Sequence, residues 1–500
     1  MIGAMMKNFL QPLILALTLT SLCACVSLPP EGAAATDTCR DLLRRVDMRV
    51  SDRGLADAEA TRVPGFPYLK VDRLLASFKT ELEKGMRPAA AFDDWIKRLR
   101  ALDRTSRQIE LQNLGAENIS GMIDDCANLL LEADFGDPSF PQALVDAIRP
   151  PRHYDDGARA LGLYPLAQFG VAFGFDRWKQ DNLSSFEADP GQWRETELRY
   201  SLPATSAPNS LKEDAAAALI DFASNNALGI ADLEGSVLAD MAARYAPVFA
   251  IEQATEADRI GRPIWHEDGT PGTDPADPVL YVRLAHTRFD GEVLPQLVYS
   301  IWFPARPKTG PFDILGGAMD GLYWRVTLDR AGKPLLYDSF HACGCYHLFF
   351  PAPSVTRVRV AEDDDFREEP LVPIQALELA AGERMIVHIA PTSHYVRGLS
   401  VARDQADAIP LRWQNELRLV DEMAAPHFGL RSVDDGMGGA RSFFSSDGLM
   451  RGTERTERFL LWPMGIASAG AMRQWGTHAT AFAGERHADD PSLLNEAFAR

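Results

Sequence analysis

The feature that most constrains this chain is a change of hydrophobic period at Pro247. Upstream, apolar residues recur every three or four positions, as on one face of a helix; downstream they alternate, as on one face of a strand. This predicts an α+β fold: a helical N-terminal domain over residues 36–190, then an α/β connection and an antiparallel β domain, a sandwich or curled sheet, over residues 191–402. Residues 403–500 form an irregular C-terminal segment packed on the β domain, with a helix expected near 411–423. Four helical stripes mark the first part: Leu42, Leu43, Val46 and Val50; Val71, Leu74, Leu75, Phe78 and Leu82; Phe92, Trp95, Ile96, Leu99 and Leu102; and Ile119, Ile123, Cys126, Leu129 and Leu130.

Strands are expected at 195–202, 248–252, 279–288, 293–303, 322–328, 335–342, 355–360 and 384–390, with helices at 212–223 and 233–245 between the first two. Asp290-Gly291 is a two-residue hairpin signal that pairs Phe289 with Glu292, Leu284 with Leu297 and Val282 with Tyr299, and puts His286 on the same apolar face. The next hairpin has two registers. A three-residue loop pairs Leu322 with Phe340; a four-residue loop, 330–333, pairs Val326 with Tyr337 and Leu322 with His341, and turns the His341 face inward.

That face leads into His341-Ala342-Cys343-Gly344-Cys345-Tyr346-His347, the densest group of reactive side chains in the chain. In a straight strand at about 3.3 Å per residue the two histidines stand roughly 20 Å apart, so one metal site requires a bend at Gly344. Folded back, His341, Cys343, Cys345 and His347 form a tetrahedral zinc set, with His286 first in line to complete it, although the spacing matches no established finger or ribbon. Two further readings stand beside it: a Cys343–Cys345 disulfide, or two small buried residues of a β core.

Catalytic motifs do not emerge. His266-Glu267 lacks the second histidine of a zinc-protease helix, no phosphate-binding glycine loop follows a strand, and Ser468 lacks the glycine of a nucleophile elbow. No catalytic residue is assigned. Acidic residues (70) outnumber basic ones (51), and the net charge of −19 is spread along the chain, which argues against a nucleic-acid partner.

At the N-terminus, Lys7 precedes an apolar run from Phe9 to Leu22 that ends in Leu22-Cys23-Ala24-Cys25. This resembles the signal peptide and lipobox of bacterial lipoproteins. The resemblance covers residues 1–25 and implies export, cleavage before Cys25, lipid attachment (palmitate among the acyl groups) to Cys25 and a membrane contact through it. Val26 is not the aspartate that retains such proteins in the inner membrane, so the implied location is the outer membrane, facing the periplasm, with residues 26–35 as linker. In an oxidising compartment the four remaining cysteines pair as Cys39–Cys126 and Cys343–Cys345. The leading expectation is a non-catalytic envelope protein, a binding or assembly module for a protein or glycan partner with a metal- or redox-sensitive Cys/His site. The alternatives are a zinc-dependent hydrolase using His286, His341 and His347, with Asp320 or Asp338 as base, and thiol–disulfide exchange through Cys343 and Cys345.

Overall fold

The computed structural model describes residues 33–203, 213–358, 368–380, 382–402, 407–416, 429–434 and 439–500. The lipobox and Cys25 lie outside these residues. Helices lead and strands follow, as the periodicity predicts. In the first part, helices Ala33–Asp52, Ala89–Leu114 and Ser120–Phe135 bury Leu43, Val46, Trp95, Leu99, Ile123 and Leu130 in one core. The first helix begins inside the expected linker, and a Cys39–Cys126 disulfide ties it to the third of these helices. The second stripe departs from expectation. Val71 ends a strand, Phe66–Val71, and the Asp72 carboxylate accepts from the Leu75 N–H to cap a short helix, Arg73–Ser77. A capping side chain thus splits what spacing alone joins.

Among the described residues two large sheets, with three two-stranded ones beside them, form the β part. The larger contains β3 (Val279–Phe289), β4 (Glu292–Arg306), β5 (Gly317–Leu328), β6 (Pro334–His341), β7 (Leu348–Pro351) and β11 (Arg412–Asn415), in the order β7-β6-β5-β4-β3-β11. The smaller contains β1 (Glu197–Ser201), β2 (Val248–Glu252), β8 (Arg384–Ile389), β9 (Val396–Ala402) and β10 (Ile409–Pro410), in the order β9-β8-β2-β1-β10. Pairing is antiparallel except for β11 on β3, β8 on β2 and β10 on β1. The β3–β4 register follows the Asp290-Gly291 turn as expected, and β5–β6 adopts the four-residue register, Val326 opposite Tyr337 and Leu322 opposite His341.

Leu280, Val282, Leu297, Tyr299, Leu322 and Trp324 face the smaller sheet and the helix Gly235–Tyr245 in the main core. The opposite face of the larger sheet, carrying Tyr281, Trp302, Tyr323 and Phe340, is covered by Phe443, Met450, Met472 and Trp475 of the tail. With both faces covered, the central strands are buried almost continuously. The helix expected near 411–423 is instead strand β11 over its described part: Leu411 is buried, and the following residues pair in parallel with β3. The rest of that stretch lies outside the described residues, as do residues 359 and 360 of the strand expected at 355–360, which is reduced to the short strand Thr356–Arg357.

The tail also joins the two parts. Arg431 is bidentate to Asp57, at 2.9 and 2.5 Å, and pairs with Glu59 at 2.8 Å, while Arg283 bridges Glu59 and Glu416. All five charged groups are buried or nearly so, and the two guanidiniums are shared among the three carboxylates across helical region, sheet and tail.

Candidate functional site

After His341 the chain reverses within four residues. The Gly344 N–H donates to the His341 carbonyl at 2.7 Å, and the His341 N–H to the Cys345 carbonyl at 3.0 Å. Gly344 has φ +90°, and a Cβ there would run into the Ala479 carbonyl, so conformation and space both demand glycine. The bend therefore occurs where the sequence suggests, yet it does not gather the ligands. His341 shares its face with Leu322. His347 returns to the other face, where Nε2 lies 2.8 Å from Asp338, itself bidentate to Arg325 at 2.8 Å. Residues 338 and 341 are three apart in one strand and so point to opposite sides of the sheet.

His286 does share the His341 face, but the registers put it six residues further along the strands, roughly 20 Å away. Its Nε2 meets the Ala231 carbonyl at 2.8 Å, and burial lowers its pKa to about 4. Cys343 and Cys345 are buried, unbridged thiols, with the Cys345 N–H donating to the Cys343 sulfur at 3.4 Å. That neighbouring thiol and burial push Cys345 well above the usual thiol range, so it stays protonated and unreactive. Among the described residues no group of three or more His, Cys, Asp or Glu could hold a metal ion. The five residues singled out for zinc are thus not gathered at one point: the three histidines have separate partners, and the two cysteines contact each other.

What the bend does assemble is a buried acid–histidine chain. Asp320, at the base of β5, lies 3.4 Å from His341 Nδ1 and 2.8 Å from His394 Nδ1, and His394 Nε2 lies 3.4 Å from Asp258. Burial lowers His341 below the ordinary imidazole value in spite of Asp320, whereas at His394 the two carboxylates outweigh burial and raise it. His394 accordingly carries the proton between Asp258, held at about 2, and Asp320, held well below the usual carboxylate range. Its ring stacks on Phe303 with centroids 3.9 Å apart. Met319, Tyr346, Thr392 and His394, all next to this chain, have φ between 53° and 64°. Such strained non-glycine backbone collects at functional sites.

Above the chain stand Tyr346 and Tyr395, ring centroids 4.3 Å apart, roofed by Trp178 at 4.9 and 5.5 Å. The Arg306 guanidinium donates to the Tyr395 hydroxyl at 2.9 Å and lies over that ring. Arg306 also lines an open pocket of about 550 Å³ with Phe312, Asp313, Ile314, Pro391 and Thr392, and has no ion-pair partner among the described residues. Glu457, anchored by a backbone bond to Ile314, is buried, and desolvation raises its carboxyl to about 7 despite the charges of Arg306 and Arg455. Tail residue Arg473 clamps the turn below, donating from its backbone to Ala342 and from Nε to Cys343.

No family model, curated protein or solved structure matches the chain. Sequence reasoning found His341, and it offered Asp320 and Asp338 as bases; each sits beside one of the histidines. It missed Arg306, Glu457, Tyr395, Trp178 and Asp258, which come from five separate segments and carry no local motif.

Proposed function

We propose that this chain is a lipid-anchored envelope protein facing the periplasm, and that its β domain is a non-catalytic binding module for a ligand bearing an anionic group. Arg306 carries the reading. It lines an open pocket, is oriented by Tyr395, and lacks a carboxylate partner among the described residues. A guanidinium held this way presents its donors as a planar fork matched to a carboxylate or phosphate. Pro311, Phe312 and Pro391 supply apolar walls suited to a sugar ring or short peptide. The acid–histidine chain below fixes the turn that holds Tyr346.

A carboxylate-bearing envelope glycan fragment, a soluble muropeptide, is the probe; a neutral chito-oligosaccharide is the control. Calorimetric titration is expected to give binding of the former only, lost in Arg306→Ala and weakened in Arg306→Lys. Equal binding by wild type and Arg306→Ala would sink the reading. A second reading, acid–base hydrolysis of the bound ligand, is favoured by one observation: Glu457 titrates near neutrality, where a proton can be both taken and given. Turnover abolished in Glu457→Gln with binding retained would replace the first reading by the second.

A further inference from the structure

The helix Tyr164–Leu183 is apolar on two opposite faces. Its inner face lays Phe175, Trp178 and Leu183 against the main core, with Trp178 closing over Tyr346 and Tyr395. At 100° per residue, Leu166 and Phe173 lie on the far side, and they are 70% and 74% exposed. The patch continues through Leu161 and Leu163 before the helix and through Phe459 and Leu460, all more than half exposed. These two chain segments are in contact: Gly162 packs on Pro463 so closely that a Cβ would collide, and Arg159 Nε donates to the Met464 carbonyl at 2.9 Å. Trp462 sits at the edge, and Arg458 lies over the Phe459 ring. A continuous surface of leucine and phenylalanine with a tryptophan and an arginine at its rim has the composition of an interfacial membrane contact.

We propose that this surface docks on a lipid bilayer, with the outer stripe of the helix lying in the headgroup region. The proposal rests on the lipid-anchor reading for its choice of occupant. Seven residues, 26–32, separate Cys25 from the first described helix, a reach of about 25 Å at most. A folded body of this length has a radius of gyration near 23 Å, so a chain anchored at Cys25 is never further from the bilayer than about its own width. A net charge of −19 repels anionic lipid, so the contact must be apolar and must survive salt.

Every described element begins at Ala33 or later, and the Cys39–Cys126 bridge and the cores lie within 33–500, so a chain starting at Val26 keeps every described contact. This anchor-free chain is floated with vesicles of phosphatidylethanolamine and phosphatidylglycerol, 4:1, in low salt and in high salt. It is expected to float in both, and Leu166→Ser/Phe173→Ser is expected to lower its partitioning by about tenfold or more. Met86→Ser, a change at an equally exposed apolar residue remote in sequence from the patch, is expected to leave partitioning unchanged. A wild-type chain that stays with the buffer overturns the proposal; so does a patch variant that floats like wild type, or a Met86 variant that falls as far. Palmitate incorporation into the full chain, lost in Cys25→Ser, is measured separately. Its failure refutes the anchor and leaves the docking result standing.

Discussion

At the scale of single residues, burial and charge decide what each group at the site can do. Glu457 shows this most directly. Desolvation raises its pKa from 4.5 to about 7, so between those values the unfolded chain has lost the proton while the folded chain keeps it. Stability therefore falls as pH rises through this window, by roughly 3 kcal/mol in all. Glu457→Gln is expected to be about that much more stable than wild type at pH 8 and nearly equal to it at pH 4, measured as denaturant midpoints across the range. His394 contributes with the same slope for another reason. Its raised pKa means that the stabilisation from Asp258 and Asp320 is complete below about pH 6.5 and is lost as pH climbs through the folded-state value. His394→Ala leaves Asp320 with only His341 and the Gly321 N–H, and leaves Asp258 with neutral backbone and Thr255 donors and no cation among the described residues; it is expected to cost about 3–5 kcal/mol in urea unfolding at pH 7. A loss under about 1 kcal/mol would mean that water reaches these carboxylates.

At the scale of elements, the turn after β6 and the helix Tyr164–Leu183 carry the arrangement. Gly344→Ala would need φ +90° and would meet the Ala479 carbonyl, so it must move the tail or unfold the turn. A loss of roughly 2 kcal/mol or more is expected, together with a changed near-UV signal from Trp475, which packs against Phe340 and Tyr323 in that region. The patch substitutions Leu166→Ser and Phe173→Ser remove exposed side chains and are expected to stay within about 0.5 kcal/mol of wild type. A larger loss in thermal unfolding would show that the outer face is packed in solution. The same elements mark how far the sequence could be read. Alternation placed the strands of the hairpin series, and the Asp290-Gly291 turn fixed the register of the first hairpin. The second hairpin could not be decided locally, because both loop lengths are acceptable turns; burial of His341 beside Asp320 and Leu322 goes with one of them.

At the scale of the molecule, two devices join distant segments. The Cys39–Cys126 bridge closes a loop of 87 residues. Its replacement by two serines is expected to cost about 4 kcal/mol on the chain-entropy account, read from chemical denaturation. The buried network of Asp57, Glu59, Arg283, Glu416 and Arg431 ties the tail to both other parts. Arg431→Met strands Asp57 and Glu59 without a full partner, and is expected to cost about 3–5 kcal/mol and to expose the tail to limited proteolysis. By itself the sequence determined the order of helices and strands and the first hairpin; its cysteine count pointed to the Cys39–Cys126 bridge, but equally to a Cys343–Cys345 bridge where the structure has two free thiols. Each of these depends on residues a few positions apart, or on a small count of cysteines. Only the tertiary structure decided which side of the sheet each member of the Cys/His cluster faces. It also decided that the tail covers the second face of that sheet and that Arg306, Glu457 and Trp178 meet at one place. Those outcomes depend on contacts across hundreds of residues, where no local period or spacing carries a signal.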